Sequence, residues 1–184
     1  LALSTIVTGY YYEWANFGPL DRWLPEFERL HDSGLSVALD PESELRAQAA
    51  FLIVLLFRKP FDPRLAPCAQ RLHELLDGEY DVNVHIMAAS TLFNYINWRT
   101  EGAMGPALVA QMASVLARPG VTPLMQVWWR THLSFWHYLN GRYEEATNDS
   151  GYQGLYDFKT DPWEMESKHN DPRYARIKAI LAGK

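Results

Sequence analysis

The chain has 184 residues, of which 48% are apolar and 21% are charged, a composition typical of a folded globular chain rather than a disordered one. Its formal net charge of −5 argues against nucleic-acid binding, which requires clustered lysines and arginines to neutralise phosphates. The single cysteine, Cys68, excludes an internal disulfide framework and a cysteine-based zinc site, and the longest apolar run, residues 49–57, is too short for a membrane span of about 20 residues.

A cluster of helix-breaking residues returns about every 40 residues. The clusters lie 42, 42 and 39 residues apart, at Gly18, Pro60, Gly102 and Gly141. A fixed period in this range is typical of helical hairpins stacked into a solenoid. We therefore expect an all-α fold, with about four antiparallel hairpins over residues 1–150 and an atypical, irregular cap over residues 151–184.

Proline residues mark where the first two hairpins begin their helices. We predict helices over residues 5–15 and 20–30 for the first hairpin. The second hairpin opens at Asp40 and Pro41, an N-cap residue followed by a proline at the first helical position. Its first helix is predicted over residues 42–58.

The second half of that helix, residues 49–57, has no polar face. We therefore expect neighbouring helices to cover it on all sides. Asp62 and Pro63 repeat the cap-and-proline pair, and we predict that they open the partner helix. The third hairpin is predicted as helices over residues 82–98 and 107–117.

The fourth hairpin opens at Thr122, again directly before a proline. Its helices are predicted over residues 124–139 and 144–148, joined by a left-handed turn at Gly141. The four hairpins show no alternating strand pattern, which supports the all-α prediction. Beyond them, a short terminal helix is predicted over residues 172–181.

The turn of the fourth hairpin, Gly141–Ala146, resembles the Gly-x-Tyr-x-x-Ala turn of tetratricopeptide repeats. In that family the glycine closes the first helix, the aromatic ring packs back, and the alanine lets the helices approach closely. Two positions depart from the pattern, since Ser134 replaces the usual glycine and Trp136 occupies a position that is usually small. The period, nearer about 41 residues than the family's 34, also departs from it.

The aromatic opening at residues 10–14, followed by residues 20–24, is similar to the openings of helical sensor or effector regions in bacterial multidomain signalling and transcription regulators. The resemblance implies a degenerate, long-period tetratricopeptide-like superhelix. It also implies that the chain binds a protein or peptide segment as part of a larger regulatory protein.

The sequence contains no motif for catalysis or metal binding. A His-Glu-x-x-His motif is missing, and His132 and His137 are five residues apart, which places them about 140° apart around a helix. Neither a Gly-x-Ser-x-Gly elbow nor a phosphate-binding glycine loop is present. We therefore expect no enzymatic activity, no metal and no cofactor.

The helix predicted over residues 124–139 has two aromatic faces. One face carries Trp129, His132, Leu133 and Trp136, and the other carries Trp128, Thr131, Phe135 and Tyr138. Since one face must join the core, we predict that the second lines a concave binding surface built from the first helix of each hairpin. The alternative is that both faces fill wide gaps between long helices.

A groove that combines tryptophan, tyrosine, asparagine and arginine has the composition of a binding hot spot. The residues that we predict to contact a partner are Tyr11, Tyr12, Asn94, Trp98, Arg99, Trp129, Arg130 and His132.

We expect this groove to bind a protein or peptide, and we expect exposed end hairpins to allow homodimerisation. A small-ligand sensor with an enclosed aromatic pocket is the first alternative, and an all-α enzyme is the second. The absence of a signal-peptide pattern and the single cysteine favour the cytoplasm, and we expect the chain to be a piece of a longer protein.

Overall fold

The computed structural model describes residues 2–14, 16–33, 39–99 and 104–150, together with Pro172 and Arg176. All regular structure in these ranges is helical, which confirms the all-α prediction. None of the helices described there is long and apolar enough to cross a membrane. The predicted terminal helix and the predicted cap over residues 151–184 lie outside the described residues, apart from those two isolated positions.

The described ranges contain eight α-helices and one 3-10 helix. They are α1 (Ala2–Glu13), the 3-10 helix (Gly18–Arg22), α2 (Leu24–Asp32), α3 (Pro41–Arg58), α4 (Leu65–Leu75), α5 (Val82–Arg99), α6 (Met104–Leu116), α7 (Pro123–Leu139) and α8 (Tyr143–Ser150).

Two of the predicted helix starts and one predicted turn are confirmed. The Asp40 carboxylate accepts a hydrogen bond from the Ser43 amide at 3.0 Å, and the Thr122 hydroxyl accepts one from the Met125 amide at 3.4 Å. In both helices a proline occupies the first turn, where its missing N–H leaves no carbonyl unpaired. Gly141 has a φ of +73°, so it forms the left-handed turn after α7.

Two other predictions about helix starts are wrong. The helix predicted over residues 20–30 is divided into the 3-10 helix and α2, because Pro25 is tolerated in a first turn but not in a helix interior. Asp62 does not cap α4, which begins only at Leu65. Its carboxylate instead accepts from the Arg64 amide at 2.9 Å and pairs with the Arg64 guanidinium at 2.7 Å, which stabilises a turn before the helix.

The helices pack in a regular order. Along the chain, α1 contacts α3, α3 contacts α5 and α5 contacts α7, while α4, α6 and α8 each pack against the helix that precedes them. Residues 49–56 of α3 are buried without interruption, as predicted, and residues 84–97 of α5 are buried likewise. These two helices therefore form the centre of the described structure.

Trp136 of α7 packs against α6 at a point where only glycine fits. A Cβ atom on Gly105 would lie 2.6 Å from the Trp136 ring nitrogen. The missing side chain of Gly105 thus makes room for the Trp136 ring, which occupies a position that is small in tetratricopeptide repeats. Ser134, the other departure from that pattern, donates a hydrogen bond to the Ala146 carbonyl at 2.7 Å and thereby ties α7 to α8.

The four odd-numbered helices run parallel and share one interior. A cavity of about 390 Å³ is lined by residues from along α1 and from the N-terminal halves of α3, α5 and α7, among them Arg46, Met87 and Met125. The C-terminal half of α5 meets the end of α1 and the second half of α7 around a different cavity. The N-termini of α3, α5 and α7 therefore lie at one end of the described structure.

We expect Gly141→Ala to lower the free energy of unfolding by about 1–2 kcal/mol, because a Cβ atom disfavours the left-handed conformation. The space around Gly141 is open, so the change in the free energy of unfolding reports the backbone strain alone. Gly9→Ala is the matched control, since Gly9 also has open space but lies within α1, where alanine favours the helix. Urea denaturation measures both variants, and equal stabilities would contradict the assignment of the turn.

Candidate functional site

A buried hydrogen bond joins α1 to α7 across the shared interior. The Tyr11 hydroxyl lies 2.9 Å from His132 Nε2, and His132 Nδ1 lies 2.8 Å from the Trp128 carbonyl oxygen. Because a carbonyl only accepts, Nδ1 carries the imidazole proton and Nε2 accepts from the Tyr11 hydroxyl. Burial raises the pKa of Tyr11 and lowers the pKa of His132, so the phenol stays protonated and the imidazole stays neutral.

Aromatic rings from three helices surround this hydrogen bond. The Tyr11 ring centroid lies 5.2 Å from that of Trp128 in an edge-to-face arrangement, and 6.4 Å from that of Phe57. We refer to Tyr11, Trp128 and His132 as the aromatic plug. The plug fills the space between the odd-numbered helices, where the sequence predicted an open concave surface.

Two of the residues predicted to contact a partner have almost no accessible surface, so that part of the prediction is wrong. Tyr11 is 0% exposed because it belongs to the plug. Trp129 is 3% exposed because it packs edge-on against Phe93 of α5, with ring centroids 5.2 Å apart. The face of α7 that carries Trp129 is therefore the core face.

Three further predicted residues do not belong to the plug, although the Tyr12 ring packs edge-to-face against that of Trp128, with centroids 5.1 Å apart. Tyr12 is half-buried, with its hydroxyl 3.8 Å from the Met125 sulfur at the opposite cavity. Arg99 is exposed, and its guanidinium donates to the Pro60 carbonyl at 3.5 Å. Arg130 is exposed, and one residue of helix turns it about 100° away from buried Trp129.

The remaining predicted residues, Asn94, Trp98 and His132, border one open cleft beside the plug, but Asn94 and His132 are only 3% and 7% exposed, so Trp98 alone presents much surface to it. The cleft has a volume of about 410 Å³. We call it the aromatic cleft, and it is lined by Trp14, Asn94, Trp98, Trp128, Thr131, His132 and Phe135. Its surface is therefore made largely of rings from the ends of α1 and α5 and from the outer face of α7.

Four residues of the cleft were missed as site residues. Trp128, Thr131 and Phe135 belong to the second aromatic face that helical spacing had identified on α7, so the signal for them was present. Trp14 gave no such signal, because the first helix was expected to continue through residue 15. The structure ends that helix at Glu13.

Trp14 forms one wall of the cleft from a strained backbone. Its φ is +47°, a left-handed value that a bulky side chain adopts at a cost of about 1–2 kcal/mol. The indole turns back onto the rings of Tyr11 and Trp128, with centroids 5.4 Å and 6.3 Å away, and yet it remains 45% exposed. Strain held at a partly exposed ring is typical of a functional site.

The polar side chains in the cleft include both donors and acceptors, since the Thr131 hydroxyl donates to the Val127 carbonyl and keeps its oxygen lone pairs. The Trp98 ring N–H donates to Asn94 Oδ1 at 2.7 Å, which occupies one lone pair of that oxygen and fixes the orientation of the amide. Asn94 Nδ2 and Trp128 Nε1 are buried, and neither makes a hydrogen bond of good geometry to the described residues. Both lie near the Tyr11 hydroxyl, where they oppose the rise in its pKa.

No protein-family model, curated protein or solved structure matches this chain significantly. The function of the cleft is therefore inferred from its own geometry.

We expect Tyr11→Phe to lower the free energy of unfolding by about 1–3 kcal/mol, because it leaves buried His132 Nε2 without a donor. Tyr138→Phe is the matched control, since Tyr138 lies on α7 but is well exposed. Chemical denaturation at pH 7.5 compares the two variants. Equal, small effects would show that the α1–α7 hydrogen bond contributes nothing to stability.

We expect the free energy of unfolding to fall as the pH is lowered below about 6.5. The unfolded state takes up a proton at His132 near that pH, whereas burial delays protonation in the folded state. Stability from neutral His132 is thus fully present above pH 6.5 and is lost as the pH falls toward the lowered folded pKa. Burial also lowers the pKa of His85, which adds to this loss.

The check is to measure unfolding at several pH values between about 5 and 7.5 for the wild type and His132→Gln. We expect the variant to be less stable at pH 7.5 and to lose less stability on acidification. An unchanged pH dependence would assign the effect to His85 instead.

Proposed function

We propose that the chain is a protein- or peptide-binding module built as a tetratricopeptide-like array of helical hairpins. The proposal is supported by the alternation along the chain, in which each odd-numbered helix contacts the next and α4, α6 and α8 each pack against the helix before them. In this proposal the array curls until its first and last inner helices meet through Tyr11 and His132. The partner then binds at the cleft beside the plug rather than along an open concave surface.

The observation that carries the proposal is the exposure of large rings within one concave site. Trp98 is 60% exposed and Phe135 is 45% exposed, and together with Trp14 they line the aromatic cleft. When a partner covers a concave surface that presents several tryptophan rings to solvent, burial of the rings contributes favourably to the free energy of binding. Among the described residues, the lining contains no carboxylate, thiol or lysine, which favours binding over catalysis.

The wider context is also part of the proposal. As the resemblance implies, we place this module in a larger cytoplasmic regulatory protein, where peptide binding would bias an attached output domain. The exposed apolar residues Leu124 and Val127 on α7 lie outside the lining of the aromatic cleft, and they suit contact with a second copy of the chain.

A small-ligand sensor is the second candidate function. Its support is the volume of the cleft, about 410 Å³, which lies within the range of about 300–1,000 Å³ that is usual for small-molecule sites. A small apolar compound that raises the melting temperature with increasing concentration, and does so only while Trp98 is present, would favour this function over peptide binding.

To test peptide binding, we would select peptides from a random displayed library against the purified wild-type chain. We expect selected peptides to lose at least about tenfold in affinity for Trp98→Ala, since hot-spot tryptophans contribute about 2 kcal/mol or more. The matched control is Leu124→Ala, because Leu124 is similarly exposed and lies outside the cleft lining. Isothermal titration measures the affinities, and circular dichroism verifies that both variants are helical.

Two outcomes would contradict the proposal. If no peptide is enriched, the module does not bind peptides through any surface, and the small-ligand function gains support. If selected peptides bind the wild type and Trp98→Ala equally but lose affinity for Leu124→Ala, the peptide site is the outer face of α7.

A further inference from the structure

Most of the side chains that line the aromatic cleft are rings. Trp14, Trp98 and Phe135 are well exposed and form its walls. Deeper in the cleft, the rings of Trp128 and His132 lie with their centroids 5.3 Å apart and form its floor. A group that enters the cleft is therefore enclosed mainly by aromatic surface.

Three of these rings are close enough to contact one group at the same time. The Trp14 centroid lies 6.3 Å from that of Trp128 and 6.4 Å from that of His132, and its ring plane is turned by 75° and 82° from theirs. The rings thus form a corner rather than a flat stack. A cation within about 6 Å of a ring centroid is attracted by the negative π-face, and tryptophan attracts it most strongly. One cation in this corner can lie within that distance of more than one ring.

The charges around the cleft suit a cation. Among the described residues, no lysine or arginine lines the cleft, and His132 is neutral because its Nε2 accepts from the Tyr11 hydroxyl. Arg99 and Arg130 adjoin lining residues in the sequence but do not belong to the lining, and the Arg99 guanidinium donates to the Pro60 carbonyl. The chain as a whole has a formal net charge of −5, which attracts cations over a long range.

The polar groups of the lining determine which kind of cation fits. A lysine ammonium is strongly hydrated and carries three N–H donors, so it needs acceptors when it leaves water. The side-chain acceptors of the described lining are the Thr131 hydroxyl oxygen and the second lone pair of Asn94 Oδ1, and no carboxylate is among them. A quaternary ammonium has no N–H group and spreads its charge over methyl groups, so ring faces alone can replace its hydration.

We propose that the aromatic cleft binds a quaternary ammonium group, an inference that rests on the proposed binding function of this cleft. The methyl groups contact the rings of Trp14, Trp98 and Phe135, and the positive charge lies over their π-faces. A trimethylated lysine side chain would bring this group as part of a peptide, and a choline-like compound would bring it as a small ligand.

Two walls of the cleft are held in place before any ligand binds. The left-handed backbone of Trp14 turns its indole onto Tyr11 and Trp128, with ring centroids 5.4 Å and 6.3 Å away. The Trp98 ring N–H donates to Asn94 Oδ1, which fixes the second indole. Preformed walls reduce the conformational entropy that is lost on binding.

The first pair of probes is choline and the neutral alcohol in which a tert-butyl group replaces the trimethylammonium group. The two compounds have the same shape, so they separate attraction of the charge from burial of the methyl groups. Neither compound contains an aromatic ring, and the intrinsic tryptophan fluorescence of the purified chain at constant ionic strength reports binding. We expect the quaternary ammonium to bind at least about fivefold more tightly than the neutral isostere.

The second pair of probes is a blocked Gly-Lys-Gly peptide with and without three methyl groups on the lysine nitrogen. Both peptides are cationic, so they separate the quaternary ammonium from the ordinary ammonium. We expect the trimethylated peptide to bind at least about fivefold more tightly. Tighter binding of this peptide than of choline would assign the group to a peptide, and the reverse order would assign it to a small ligand.

Variants place the binding in the cleft. We expect Trp98→Ala and Phe135→Leu each to weaken binding of the tighter quaternary ammonium probe by at least about fivefold, because leucine keeps the apolar bulk of phenylalanine but has no π-face. Leu124→Ala is the matched control outside the lining and should preserve binding. Circular dichroism verifies that all three variants are helical.

The results separate this inference from the proposed function. The inference fails if neither quaternary ammonium probe binds, or if the neutral alcohol and the unmethylated peptide bind as tightly as their charged or methylated counterparts. It also fails if Trp98→Ala and Phe135→Leu bind the probes as tightly as the wild type does. In each case, library-selected peptides that require Trp98 would leave the peptide-binding function standing, and the lack of any such peptide would remove both proposals.

Discussion

The hydrogen bond between Tyr11 and His132 is the constraint on which the arrangement of the inner helices depends. It joins the first helix to the seventh, and its direction is fixed because the Trp128 carbonyl requires the imidazole proton on the opposite nitrogen. A protonated His132 could not accept this bond, and a charge there would be surrounded by rings. The interior is therefore compatible only with neutral His132. The residues of the plug also shape the adjoining cleft.

Local chemistry made most of the fold predictable from the sequence. The cap-and-proline pairs at Asp40 and Thr122 and the glycine at position 141 act within a few residues, so their effect can be read without knowing the fold. The effect of Pro25 was also predictable, because a proline inside a predicted helix indicates that the helix is divided there. The role of Asp62 was harder to predict, because its carboxylate pairs with a guanidinium two residues away instead of capping the helix.

The candidate site was harder to predict because its position depends on how helices meet in space. Helical spacing grouped the aromatic residues of α7 into two faces, but it separated Trp128 from His132, which lie together in the plug, and it does not tell which face is buried. That choice is made by contacts such as the one between Trp129 and Phe93 of α5. The cleft wall at Trp14 depends on a backbone conformation that its residue type disfavours, so no propensity argument could have placed it.

The sequence separation of the α1–α7 contact has a consequence for folding. Tyr11 and His132 are 121 residues apart, whereas each hairpin forms through contacts between neighbouring helices. Contacts between distant residues form late because the intervening chain loses much entropy when its ends meet. Only Ser4, Val7 and Tyr11 are fully buried along α1, so we expect this helix to dock late. Its amides should therefore exchange with solvent sooner than those of α3 and α5.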